Sequence, residues 1–161
     1  MQIRVTDKVV TKGILVSLQA RRNYLEQSKE LALMVKEALP IFRKFLNFPK
    51  TIVVRIATHK GTYKGSYNNY QHTLFLNVCR FDYDEVMVTL AHELVHAEQF
   101  HEKRLKQKGS VMYWYDEKVK NKGSTYASYR KQPWEVEAFN RQKQLAKLVT
   151  KELEKKYEED R

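Results

Sequence analysis

A single cysteine, Cys79, leaves this chain with no internal disulfide and no thiolate zinc site, and makes a reducing, cytoplasmic compartment the natural expectation. Apolar residues nowhere run together for the roughly eighteen positions that a membrane helix needs. The stretch Met1 to Asp7 has no apolar core of a secretory signal. No membrane association is therefore expected. Glycine and proline are sparse, at five and three in 161 residues, which excludes collagen-like and low-complexity classes. No phosphate loop, dinucleotide fingerprint or zinc knuckle is present. Acidic residues are the scarcer sign, 19 against 30 Lys and Arg, for a net charge of +11. The excess sits in two places: ten basic against four acidic residues in 1–50, and nine against three in 102–131. Such flanks favour acidic partners, nucleic acid included, although a lysine-rich solvated surface is the plainer reading. What remains, 42% apolar and 12% aromatic, suits one globular domain able to bury a core.

Taken in order, the pattern is that of an α+β domain. Ile3–Val10 and Ile14–Val16 read as a strand pair or as a strand leading into a helix. Apolar residues at three- and four-residue steps predict a helix from about Gln19 to Leu39, ended or kinked by Pro40, with a second short helix over Ile41–Phe48. The β-branched run Thr51–Thr58 predicts a strand, and Thr73–Val78 a returning one, with Asn68-Asn69 as the turn of a hairpin. Asp82-x-x-Glu85 resembles a capping box opening a helix to about Lys106. Residues 107–132 are basic, rich in Tyr, Gly and Ser, and lack a sustained period. They read as a long loop of the kind that walls or covers a site, with Val111–Tyr115 as a short strand or helix beneath it. Pro133 opens a last helix to about Glu154. The chain thus divides into a helical part (1–50), strands and a helix (51–106), a basic loop segment (107–132) and a final helix (133–155).

The most informative stretch is Thr89-Leu90-Ala91-His92-Glu93-Leu94-Val95-His96-Ala97. Residues four apart share a helix face, so His92 and His96 can point at one ion. Glu93 sits one position round, within reach of a water at that ion without being a ligand. The surrounding residues are apolar, and two buried imidazoles need a reason to be there. A catalytic zinc site takes three protein ligands. A histidine six residues after His96 is excluded, because position 102 is Glu and position 99 is Gln. His101 falls on the wrong side of the helix, and His59 and His72 read as exposed loop residues. Carboxylates remain. Glu117 lies among charged neighbours. In Pro133-Trp134-Glu135-Val136-Glu137-Ala138, Glu135 projects within the apolar stripe Trp134, Ala138, Leu145, Ala146, Val149 and Leu153, whereas Glu137 points to its margin. A carboxylate facing a core must be paired or coordinated. Glu135 is the favoured third ligand, with Glu137 and Glu117 as alternatives.

These two motifs, with the strands ahead of them, resemble small cytosolic gluzincin-type metallopeptidases of the zincin group, nearest to the SprT-like and ImmA/IrrE-like kinds from bacteria and phage. Position 139, where ImmA/IrrE-like sequences often carry Asn, is Phe. The resemblance implies a zincin-like domain with a small, mostly antiparallel sheet, and hydrolysis of peptide bonds in a protein or peptide partner. It implies Zn²⁺ held by His92, His96 and Glu135, with Glu93 as general base on a metal-activated water. It also implies an edge strand that pairs with extended substrate, for which Thr73–Val78 is the candidate. Tyr126 and Tyr129 are candidates for stabilising the oxyanion. A metal-binding interaction or regulatory module with little catalysis, associated with nucleic acid, is the alternative.

Overall fold

The computed structural model describes residues 4–11, 14–21, 25–57, 64–77, 82–120 and 125–160, the first two segments as backbone alone. The fold is α+β. Its strands are β1 (Arg4–Thr11), β2 (Ile14–Arg21), β3 (Ile52–Ala57), β4 (Gly65–Asn68), β5 (Thr73–Asn77), β6 (Leu105–Lys108), β7 (Val111–Trp114) and β8 (Glu117–Val119). Its helices are α1 (Leu25–Phe42), α2 (Tyr83–His101), α3 (Tyr126–Arg130) and α4 (Pro133–Glu159). His59 and Cys79 lie outside the described residues.

The larger sheet has the order β1-β2-β3-β5-β4. The N-terminal apolar runs form an antiparallel pair, with Val5 opposite Ala20 and Val9 opposite Val16. β2 then lies parallel to β3, and β3 parallel to β5. The predicted returning strand therefore does not fold back on β3, because β4 intervenes and itself makes the hairpin with β5. Asn68 shapes that turn: its Oδ1 accepts from the N–H groups of Tyr70 at 3.0 Å and Gln71 at 3.2 Å. One expectation fails here. Thr73–Asn77 is an interior strand, and β4 is the edge.

The first helix begins at Leu25, later than its periodicity suggests, because residues up to Arg21 are drawn into β2. Pro40 lies inside its last turn, and Ile41–Phe48 does not form a second helix. Instead Arg43 donates to the carbonyls of Phe48, Pro49 and Lys50, closing a tight connection into β3. The core lies between α1, the β3–β5 sheet, α2 and α4. Leu31, Val35, Leu39, Ile52, Ile56, Leu74, Leu90, Leu94 and Val149 are fully buried in it.

In the segment 107–132, read as a loop over a short element at Val111–Tyr115, the described residues are mostly structured. β6, β7 and β8 form a separate antiparallel sheet, with Gln107 opposite Met112 and Met112 opposite Val119. Gly109 turns the first hairpin at φ 61°, and Tyr115 and Asp116 turn the second at φ 49° and 67°. Two consecutive left-handed residues are what the type I′ form of a two-residue hairpin turn demands, and neither is glycine.

Candidate metal centre

Helix α2 brings the first two histidines together. Asp82 caps it, its Oδ1 accepting from the N–H groups of Asp84 at 3.0 Å and Glu85 at 3.3 Å, and Asp84 and Glu85 place negative charge at the positive end of the helix dipole. From Leu90 to Gln99 every residue is buried, so this stretch runs through the interior on rigid backbone. Helix α4 supplies the third group. Pro133 opens it, and Trp134, Glu135, Ala138, Leu145, Ala146, Val149 and Leu153 are its buried residues, the stripe predicted from periodicity.

The three side chains converge. His92 Nε2 lies 3.1 Å from Glu135 Oε2, His96 Nε2 lies 3.2 Å from Glu135 Oε1, and the two Nε2 atoms are 3.1 Å apart. Ligand atoms about 2.0–2.1 Å from a tetrahedral ion sit roughly 3.3 Å from one another. The observed separations match that spacing closely, so the donor set fits a small divalent ion. His92, His96 and Glu135 are 7%, 8% and 4% exposed, and such a buried cluster could hold a metal. Glu137 and Glu117 do not join it. Glu137 is committed to Gln99, Arg104 and Arg141, and Glu117 is exposed on β8.

Electrostatics tie the group together in the metal-free protein. Burial acts to lower the basicity of His96, but its hydrogen bond to Glu135 and the charges of Glu93 and Glu135 outweigh this and push its pKa up to about 9. Burial acts to raise Glu135, yet the two imidazoles hold it down at about 2. Burial pushes Glu93 up, with the histidines opposing. A carboxylate so raised is suited to taking and returning a proton.

Two glutamines, which the sequence did not single out, hold the far side of each imidazole. His92 Nδ1 lies 2.8 Å from Gln142 Oε1, and His96 Nδ1 lies 2.9 Å from Gln99 Oε1. Their spacing was the available signal: Gln99 is three residues after His96, and Gln142 is two helical turns after Glu135. Phe139 packs edge-on against the His92 ring at 4.7 Å, and the Arg130 guanidinium lies 4.2 Å over the Phe139 ring.

A cavity of about 290 Å³ opens onto this cluster. It is lined by Gly65, Ser66 and Tyr67 of β4, by Leu105, Gln107 and Met112 of the small sheet, and by Glu93, His96, Tyr129 and Glu135. Burial, with the charge of Glu135 nearby, raises the Tyr129 phenol, whereas its stacking neighbour Tyr126 is 68% exposed. His72 is exposed beside Tyr67, and His101 is the exposed last residue of α2. A larger cavity of about 560 Å³ lies elsewhere, between the lysine-bearing face of α4 and the start of α2. Among the described residues, no helix is long and apolar enough to cross a membrane. Comparison of the chain with protein-family models, curated proteins and solved structures finds no match.

Proposed function

We propose that this chain is a zinc-dependent metallopeptidase of the gluzincin kind, acting in the cytoplasm on a protein or peptide partner. One observation carries the reading. A buried carboxylate from a second helix arrives at the Nε2 atoms of a His-Glu-x-x-His pair, with a raised glutamate, Glu93, in the same cavity. His92, His96 and Glu135 would hold the ion, which supplies Lewis-acid chemistry by acidifying water and polarising a carbonyl.

The remaining work falls to the protein's own groups. Glu93 accepts a proton from the attacking water and returns it to the leaving nitrogen, as general base and then general acid. The Tyr129 phenol lines the same cavity as Glu93, His96 and Glu135 and would donate to the developing oxyanion. β4 is the edge strand beside Glu93, and its open side offers backbone donors and acceptors to an extended peptide. Thr73–Asn77 is too deep in the sheet for that role.

The test is metal analysis of the purified protein, followed by peptide-library hydrolysis with the native chain and with Glu93→Gln. Zinc at one equivalent in both, and turnover in the native chain alone, supports the reading. Zinc in both with the same partner effect in both makes the chain an interaction module. Absence of zinc from the native chain removes the proposal.

A further inference from the structure

His96 is held by a buried relay rather than by a single contact. Gln99 has no solvent exposure, and all of its polar atoms are engaged. Its Nε2 donates to the Trp134 carbonyl at 3.0 Å and to Glu137 Oε2 at 2.9 Å. Both partners are acceptors, so the amide can be placed only one way round, with Oε1 facing His96 Nδ1 at 2.9 Å. An acceptor at that point requires a proton on Nδ1, which leaves Nε2 as the ring atom directed at Glu135 and His92. Glu137 is fixed in turn: Arg104 Nη1 makes a short bond to its Oε1, and Arg141 Nη1 lies 3.4 Å from its Oε2. Both arginines also bind the buried Glu98, at 3.3 and 2.8 Å. His92 differs. Its partner Gln142 is half-buried, and its side chain makes no second hydrogen bond among the described residues.

We infer that Gln99 and Glu137 are positioning residues. Glu137 sets the direction of the Gln99 amide, and Gln99 sets the tautomer and ring plane in which His96 presents Nε2 to a divalent ion. This inference rests on the proposed reading of His92, His96 and Glu135 as metal ligands, and it assigns Glu137 a role other than ligand. The physical basis is general: outer partners of a ligating histidine fix its tautomer and orientation, and losing one costs roughly 10–100-fold in metal affinity. The relay also spans the chain. Arg104 stands at the entry to β6, with its guanidinium 5.7 Å over the Trp114 ring, so the orientation of His96 is braced against the small sheet that lines the cavity.

The experiment uses the full chain and measures zinc and cobalt(II) affinity by chelator competition, with the cobalt absorption spectrum as a report on ligand geometry. Gln99→Met keeps length and apolar volume but removes both amide functions. It is expected to weaken zinc binding by about 10–100-fold and to shift the cobalt bands, with the thermal stability of the metal-free protein serving to separate a folding defect. Gln99→Glu alone sets two carboxylates against each other and is expected to weaken binding as well. Pairing it with Glu137→Gln restores a donor opposite an acceptor between positions 99 and 137, although not at the Trp134 carbonyl, and should bind more tightly than Gln99→Glu alone. Should Gln99→Met fail to fold, Glu137→Leu, at a partly exposed site, must weaken binding in the same direction. Native affinity and native cobalt bands in Gln99→Met, or in Glu137→Leu, overturn the relay and leave the metal centre standing. A native chain that binds neither ion overturns both.

Discussion

The raised His96 gives a quantitative expectation for zinc binding as a function of pH. In the metal-free protein this imidazole keeps its proton to about pH 9, against an ordinary value of 6.5. Zinc needs the Nε2 lone pair, so binding must expel that proton. Between about pH 7 and 9 the apparent association constant should rise tenfold per unit, roughly 100-fold in all, and flatten above about 9. An unperturbed histidine would show no such rise over that range. Stability of the metal-free protein follows from the same pair. A raised histidine contributes fully below its unfolded value near 6.5 and loses the contribution as pH rises through about 9. A depressed carboxylate contributes fully above 4.5 and loses it as pH falls towards about 2, the value that holds for Glu135. The two shifts describe one ion pair and are counted once, at about 3 kcal/mol. The metal-free protein should therefore be most stable at about pH 4.5–6.5, and zinc should restore the alkaline side. Chelator competition across pH, corrected for the chelator's own protons, measures the first expectation; denaturant titration at about pH 5.5 and 9 measures the second. An affinity that stays flat from about pH 7 to 9 would refute the reasoning.

Other perturbations are direct. Glu135→Ala removes one of three ligands and should lower zinc affinity by more than the roughly 100-fold upper end for an outer partner; equal metal content at limiting zinc would count against it. Gly65→Ala places a methyl 2.8 Å from the Phe75 carbonyl oxygen and 2.8 Å from Thr89 Cγ2, forcing β4 away from α2. It should destabilise by about 1–3 kcal/mol in denaturant titration, and Thr89→Ala should recover part of that loss. Tyr129→Phe should lower kcat by about 100–1,000-fold with zinc content unchanged if the phenol serves the oxyanion; steady-state kinetics decides.

The His92, His96 and Glu135 cluster was far more legible in the sequence than the sheet that walls its cavity. Helical arithmetic placed Glu135 inside the apolar stripe of α4 and Glu137 at its margin, and Glu135 is 4% exposed within the cluster while Glu137 is bound to two arginines. That worked because a helix face is a local property. Of the β6–β8 sheet only β7 was within reach, as the apolar run Val111–Tyr115 that suits a short strand or helix, because the strands are four, four and three residues long, with lysines on alternate positions of β6. Gly109-Ser110 between two such runs was the usable hairpin signal, but Tyr115-Asp116 carries no turn signature. The parallel pairing of β3 with both β2 and β5 was equally out of reach, because periodicity within a strand says nothing of its distant neighbours. Gln99 and Gln142 escaped for a related reason: an amide becomes informative only when its partners are known.

The chain path between the candidate ligands has a consequence for the unfolded state. His92 and Glu135 are 43 positions apart, and the whole of the β6–β8 sheet lies between them. An ion joining them acts as a covalent-like staple on that loop, and a cross-link of this span removes about 4 kcal/mol of chain entropy from the denatured ensemble. The staple's worth changes only with the logarithm of loop length. Residues added at the tips of the small sheet would thus alter the reach of the cavity wall at little cost to the closure of the site, leaving that wall free to diverge while α2 and α4 stay fixed.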